Sequence, residues 1–198
     1  MNIIRIRFSL LTMILAMTWG CVTGNVKPDY TLKPGEKGLA IFSVTQSGLG
    51  KSWETSVSFR QARKQSKPYK GNIHSLAVSG PGRIPGGTIP LDFDSEMKGR
   101  LVFIELNEGV YELSRWQAAR NEYGGVRTLS SPKPFSYEFA VVGGKAVYAG
   151  NLHLSIAVSI GKFNLSATDK RNRDLDLLKE KLPNVRREDI VIDIMKKN

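Results

Sequence analysis

Leu152-His-Leu-Ser-Ile-Ala-Val-Ser-Ile160 alternates without a break: Leu152, Leu154, Ile156, Val158 and Ile160 share one parity, His153, Ser155, Ala157 and Ser159 the other. Side chains of an extended chain point to opposite faces with period two, so the segment predicts a strand with one buried and one wet face. Trp53, Thr55, Val57 and Phe59 repeat the pattern against Glu54, Ser56 and Ser58. Working outward, short β-favouring runs stand at 39–45, 73–78, 100–106, 110–116, 135–142 and 146–149, and Ile190, Ile192 and Ile194 supply a last strand. Regularly spaced short strands between turn signals predict a mainly β chain, an antiparallel β-sandwich of about seven to nine strands. A small barrel is the second choice.

Turn chemistry predicts two hairpins. Gly143-Gly144 separates FAVV from KAVY, and glycine meets the positive φ that a type I′ turn needs at both central positions. Asn107-Glu108-Gly109 likewise joins LVFIEL to VYELSRW, with Gly109 free to take the left-handed position of a three-residue loop, whereas Gly80–Pro90 is too rich in proline for a central strand. One short C-terminal helix is expected after Thr168 or Asp169, with Leu175, Leu178 and Leu182 as its apolar stripe, an Asp169/Arg173 pair one turn apart, and Pro183 as its stop.

The first 20 residues are read as a signal peptide. Arg5 and Arg7 form a basic start, and Phe8–Met17 is an apolar run of about ten residues, long enough for export and half of the roughly 20 a spanning helix needs. Gly20-Cys21 then resembles the lipobox of bacterial lipoproteins, with Thr18 and Trp19 departing from its usual aliphatic and small residues. The resemblance implies cleavage before Cys21 and acylation of its sulfur and new amine, an anchor in the lipid bilayer. Val22, where an inner-membrane retention signal would carry aspartate, implies the outer membrane, facing the periplasm. Cys21 is the single cysteine and has no partner for an internal disulfide, which an acyl thioether would explain. Plain secretion, with a cut near Ala16, Gly20 or Gly24, and an uncleaved anchor are the alternatives. Residues 21–38, rich in Gly, Pro and Lys, are expected as a tether, and 39–198 as a single β-sandwich domain.

Loss of the leader leaves 178 of 198 residues and lowers the net charge from +11 to +9. That length suits one domain without disulfides. Basic residues concentrate between Lys51 and Arg83, where Lys51, Arg60, Arg63, Lys64, Lys67, Lys70 and Arg83 face Glu54 alone. In an exported chain this points to an anionic envelope surface or polymer, or another envelope protein, with Arg60, Arg63, Lys64, Lys67 and Lys70 as candidate contacts and a solvated loop as the plain alternative. Nucleic acid is not expected, because Tyr69 alone interleaves the charges.

Catalytic and metal chemistry find little to stand on. His74 and His153 are the only histidines, and HxH, HExxH, CxxC and GxSxG are all absent, so no metal, cofactor or catalytic residue is assigned. Asp92, Asp94 and Glu96 share one side of an extended segment, but Lys98 and Arg100 follow to neutralise them. Gly80, Gly82, Gly86 and Gly87 lack the helix and Lys-Ser/Thr of a phosphate loop. Trp116, beside Arg115 and near Tyr111 and Tyr123, is a candidate binding anchor or a core residue.

Residues 107–113, Asn-Glu-Gly-Val-Tyr-Glu-Leu, resemble the turn, glycine and tyrosine that open a strand in prealbumin-like, carboxypeptidase-regulatory-like and immunoglobulin-like β-sandwiches, which occur in uncharacterised bacterial lipoproteins. The leading expectation is a non-catalytic, membrane-anchored β-domain that binds or scaffolds another envelope component, with the basic stretch from Arg60 to Lys70 as its contact. An envelope hydrolase built from dispersed His74, His153 and the Asp92–Glu96 carboxylates is the alternative.

Overall fold

Period-two patterning yields strands at nearly every expected place in the computed structural model, which describes residues 26–49, 53–62, 74–79, 91–95, 97–131, 135–157 and 162–198. In chain order the described residues form β1 (Lys37–Ser47), β2 (Glu54–Gln61), β3 (His74–Ser79), β4 (Phe93–Asp94), β5 (Lys98–Asn107), β6 (Gly109–Glu122), β7 (Gly125–Ser130), β8 (Tyr137–Val141), β9 (Ala146–Ala157), β10 (Lys162–Thr168), α1 (Arg171–Lys181), β11 (Ile190–Ile192) and β12 (Lys196–Lys197). The described residues are therefore mainly β with one α-helix. They form more strands than expected because β4 and β12 are two-residue pairings and because β7 and β10 are additional.

The strands form two six-stranded sheets, neither closed into a barrel. The first runs β10-β9-β1-β5-β4 with β11 also on β9, and the second runs β12-β8-β6-β2-β3 with β7 also on β6. Antiparallel pairing is not universal: β1 and β11 both lie parallel to β9. Both predicted hairpins are corrected. Asn107–Gly109 links β5 of the first sheet to β6 of the second, and Gly143-Gly144 links β8 of the second to β9 of the first, so each turn crosses between sheets. Gly144 alone of the pair takes a positive φ, +68°, where a type II turn requires it and a type I′ turn would require two. Gly80–Pro90 lies outside the described residues.

These corners and the start of β1 are stitched into one end of the molecule. Glu108 N–H donates to Glu36 O (2.7 Å), Gly144 N–H to Lys37 O (2.8 Å) and Leu39 N–H to Lys145 O (2.9 Å). At the opposite end Leu49 and Trp53 are buried, and Thr55 Oγ1 of the second sheet donates to Gln46 Oε1 of the first. There β6 and β7 run on as a two-stranded hairpin past Glu54, the first residue of β2, and residues 121–128 are exposed throughout.

Both sheets feed one apolar cluster: Phe42, Val44, Ile104, Leu152, Leu154 and Ile156 from the first, with Val57, Phe59, Leu113, Trp116 and Phe139 from the second. A second cluster lies on the other face of the first sheet, where Leu39, Ile41, Phe103 and Tyr148 meet Leu175 and Leu178 of α1 and Leu182 just after it. Burying each leucine contributes about 1.5–3 kcal/mol, so the expected stripe fixes the helix to the sheet. Thr168 does not cap that helix, and Asp169 accepts from Arg171 N–H (3.0 Å) and pairs with the Arg171 side chain rather than with Arg173. Val26, Tyr30 and Leu32 also pack on this cluster, so the chain is in contact with the fold well before Leu39.

The two apolar runs expected at 146–149 and 152–160 form one strand, broken at Gly150. Ala146 and Tyr148 belong to the outer cluster, yet Leu152, Leu154 and Ile156, of the same parity, belong to the inner one. A one-residue shift in the β1 pairing, between Ile41↔Tyr148 and Ser43↔Asn151, accounts for the change of face. Gly150 sits in the shift at φ +92°, and a Cβ there would approach Thr168 O to 3.0 Å. Gly150→Ala is expected to destabilise the fold by about 1–3 kcal/mol, read from the urea midpoint at unchanged m-value.

Candidate functional site

Beyond Gly150 the outer face of the first sheet turns polar. Ser43, Thr45 and Ser47 of β1 stand beside Asn151, His153 and Ser155 of β9, and Thr168, Ser166 and Asn164 of β10 continue the row. Asp174, in the first turn of α1, is fully buried over this row. Its carboxylate accepts from Tyr148 Oη (2.7 Å) and Arg173 Nε (2.8 Å) and lies 2.7 Å from Ser43 Oγ. Arg173 also donates to Ser43 Oγ (2.9 Å) and Asn151 Oδ1 (3.3 Å), and its guanidinium stacks 3.9 Å from the Phe93 ring centroid. Burial first, then the Asp174 carboxylate, pushes the Tyr148 hydroxyl far above its ordinary value.

His153 is half-buried beside this cluster. Its Nδ1 lies 2.9 Å from Thr45 Oγ1 and its Nε2 3.1 Å from Ser47 Oγ, while Thr45 Oγ1 donates to Asn151 Oδ1 (3.0 Å). The donor count assigns one order: Ser47 O–H to Nε2, Nδ1–H to Thr45, Thr45 O–H to Asn151, with the imidazole neutral. Burial, then Arg173 and Lys170, lowers the pKa of His153 in accord with that assignment. The row can relay a proton between hydroxyls. Yet Asp174 and His153 share no hydrogen bond, so the described side chains do not complete a hydroxyl–imidazole–carboxylate chain.

A cleft of about 470 Å³ opens elsewhere, between β10 of the first sheet and the β8/β12 edge of the second. Phe135, Tyr137, Phe163 and Leu165 form its apolar wall, and Glu112, Asn164 and Lys197 supply polar groups. Tyr137 Oη donates to Leu165 O (2.8 Å) and so ties the two sheets together. Phe163 is 40% exposed and packs on Trp116, ring centroids 5.6 Å apart, and Trp116 Nε1 is buried without a hydrogen-bond partner among the described residues. Arg60 pairs with Glu112 at 3.3 Å, which brings one nominated cation to the rim.

The other nominated residues scatter. Cys21, Arg63, Lys64, Lys67, Lys70 and Glu96 lie outside the described residues, as does the side chain of His74. Asp92 accepts from Leu101 N–H (2.8 Å) and pairs with Lys181 (2.6 Å), Asp94 is exposed, and no group of three metal-ligating side chains occurs among the described residues. Tyr123 is fully exposed at the β6–β7 turn, whereas Tyr111 and Trp116 are core. The residues overlooked in the sequence are Asp174, Asn151, Tyr148 and Phe163. Asp174 did carry a signal: it precedes Leu178 and Leu182 by one and two turns, a carboxylate on the apolar stripe.

Two outcomes follow from the buried network. Asp174→Ala strands Arg173, Tyr148 and Ser43 and is expected to cost about 3 kcal/mol, measured by denaturant unfolding. His153 has a lowered pKa in the fold, so the unfolded chain binds its proton more readily and the contribution of His153 is lost as pH falls through about 6.5. Thermal midpoints should drop between pH 7.5 and pH 5.5, and His153→Gln should reduce that drop.

No family model matches this chain, and no curated protein does either. The crystal structure of a leucine-rich repeat protein from Bacteroides thetaiotaomicron VPI-5482 is similar to it in part, at 11% identity and a TM-score of 0.35 over 61% of this chain and 14% of that one.

Proposed function

We propose that the protein is an envelope lipoprotein, anchored through acylated Cys21 and facing the periplasm from the outer membrane, whose β-domain binds or scaffolds another envelope component without catalysis. On this reading the two sheets pack face to face as a β-sandwich of prealbumin-like or immunoglobulin-like kind. The observation that carries the binding role is the cleft between the sheet edges. Aromatic walls with a few polar groups on a rigid frame are the usual composition of a ligand site. The polar row under α1 supports it from the other side, since His153 and Asp174 are each engaged by structural partners.

The leader supports the anchor. No helix among the described residues is long and apolar enough to cross a membrane. Two or more acyl chains, each contributing about 0.8 kcal/mol per buried methylene, give stable attachment. The basic stretch with Arg63, Lys64, Lys67 and Lys70 would meet an anionic surface or polymer, each cation contributing about 1 kcal/mol near an anionic bilayer. Wild-type protein is expected to incorporate labelled palmitate and fractionate with membranes, and Cys21→Ser to lose the label and appear in the soluble fraction. A wild type that takes up no label overturns the anchor.

A further inference from the structure

On the proposed acylation of Cys21, one end of the domain lies nearer the bilayer than the other. Val26 and Tyr30 pack on the outer cluster, and Tyr30 N–H donates to Lys27 O (3.0 Å) in a turn. The Tyr30 hydroxyl sits beside Glu105, which pairs across the sheet with Leu39 and holds Lys37 at 3.1 Å. Asn184, just beyond α1, donates to Asp29 O (3.4 Å). Tyr30 is thus held near the stitched end, where β1 begins and the turns at 107–109 and 143–144 lie.

Five peptide steps separate Cys21 from Val26, which spans at most about 17 Å when fully extended. Across the molecule, β6 runs 14 residues from Gly109 at the stitched end to Glu122 beside the Tyr123 turn. At about 3.3 Å per residue that is roughly 45 Å. A tether of about 17 Å keeps its point of attachment close to the surface that holds Cys21, and a domain upright on that end carries the far hairpin roughly 45 Å away. We propose that the domain stands on the bilayer headgroups by its stitched end, and that the β6–β7 hairpin, with exposed Tyr123 and Val126, is its membrane-distal tip.

The test places a single fluorophore on the acylated full chain, at Lys33→Cys or at Tyr123→Cys, in phosphatidylethanolamine/phosphatidylglycerol vesicles with a headgroup-linked quencher. Mass spectrometry of Cys21 comes first: an unmodified sulfur removes the anchor itself, separately from the orientation. With Cys21 acylated, the Lys33 label should be quenched several-fold more than the Tyr123 label. Equal quenching, or stronger quenching at Tyr123, overturns the orientation and leaves the anchor standing. A second form carries twenty Gly/Ser residues between Cys21 and Val26, long enough for the domain to turn over. The difference should collapse in it, and a difference that survives shows that the tether does not set the orientation.

Discussion

The break in β9 at Gly150 governs both faces of the first sheet. Ala146, Tyr148, Leu152, Leu154 and Ile156 share one parity, and an unbroken strand would send all five to the same side. The shift lets Tyr148 serve the outer cluster while Leu152, Leu154 and Ile156 serve the inner one. It also hands over the strand's free edge. β11 pairs with residues 146–148 and β10 with 151–157, so two partners share one edge and meet at the break. Glycine is the residue for that place because the backbone is left-handed there and Thr168 O closes over the missing Cβ.

What the break exposes, α1 then has to cover. Ser43, Thr45 and Asn151 are buried with polar side chains, and unpartnered groups there would each cost about 1–3 kcal/mol. Asp174 meets that need by placing a carboxylate where Tyr148, Ser43 and Arg173 converge. Its own charge is compensated by a partly exposed guanidinium, which keeps the desolvation cost lower than for a pair buried on both sides. The leucine stripe glues the helix and the aspartate fixes its position, because carboxylate geometry tolerates less sliding than apolar contact does.

Local pattern carried much of the fold, and the misses share a cause. Alternation at Trp53–Phe59 and Leu152–Ile156 marks strands because it reports burial, and the stripe of Leu175, Leu178 and Leu182 marks the helix for the same reason. Alternation does not say which strand lies alongside. Asn107–Gly109 and Gly143-Gly144 have the composition of tight turns, and a tight turn can close a hairpin or carry the chain to the facing sheet. β7, with residues 125–128 exposed, offers only Leu129 to the core and so has no alternating pattern to declare it. The cleft was illegible because it unites Glu112, Tyr137, Phe163 and Lys197 from four separate strands.

Strand length then divides the molecule into unlike ends. β6 outlasts β2 at the far end and is continued there by β7 alone, with residues 121–128 exposed. Arg120, Glu122 and Arg127 pair along it, contacts that contribute little when exposed. At the stitched end three separate segments of chain exchange backbone hydrogen bonds over buried Leu39 and Ala146. Opening that end requires separating both sheets, whereas the hairpin can open while the core stays intact. The fold therefore resists opening where β1 and the two corners join it and yields more readily at the β6–β7 hairpin.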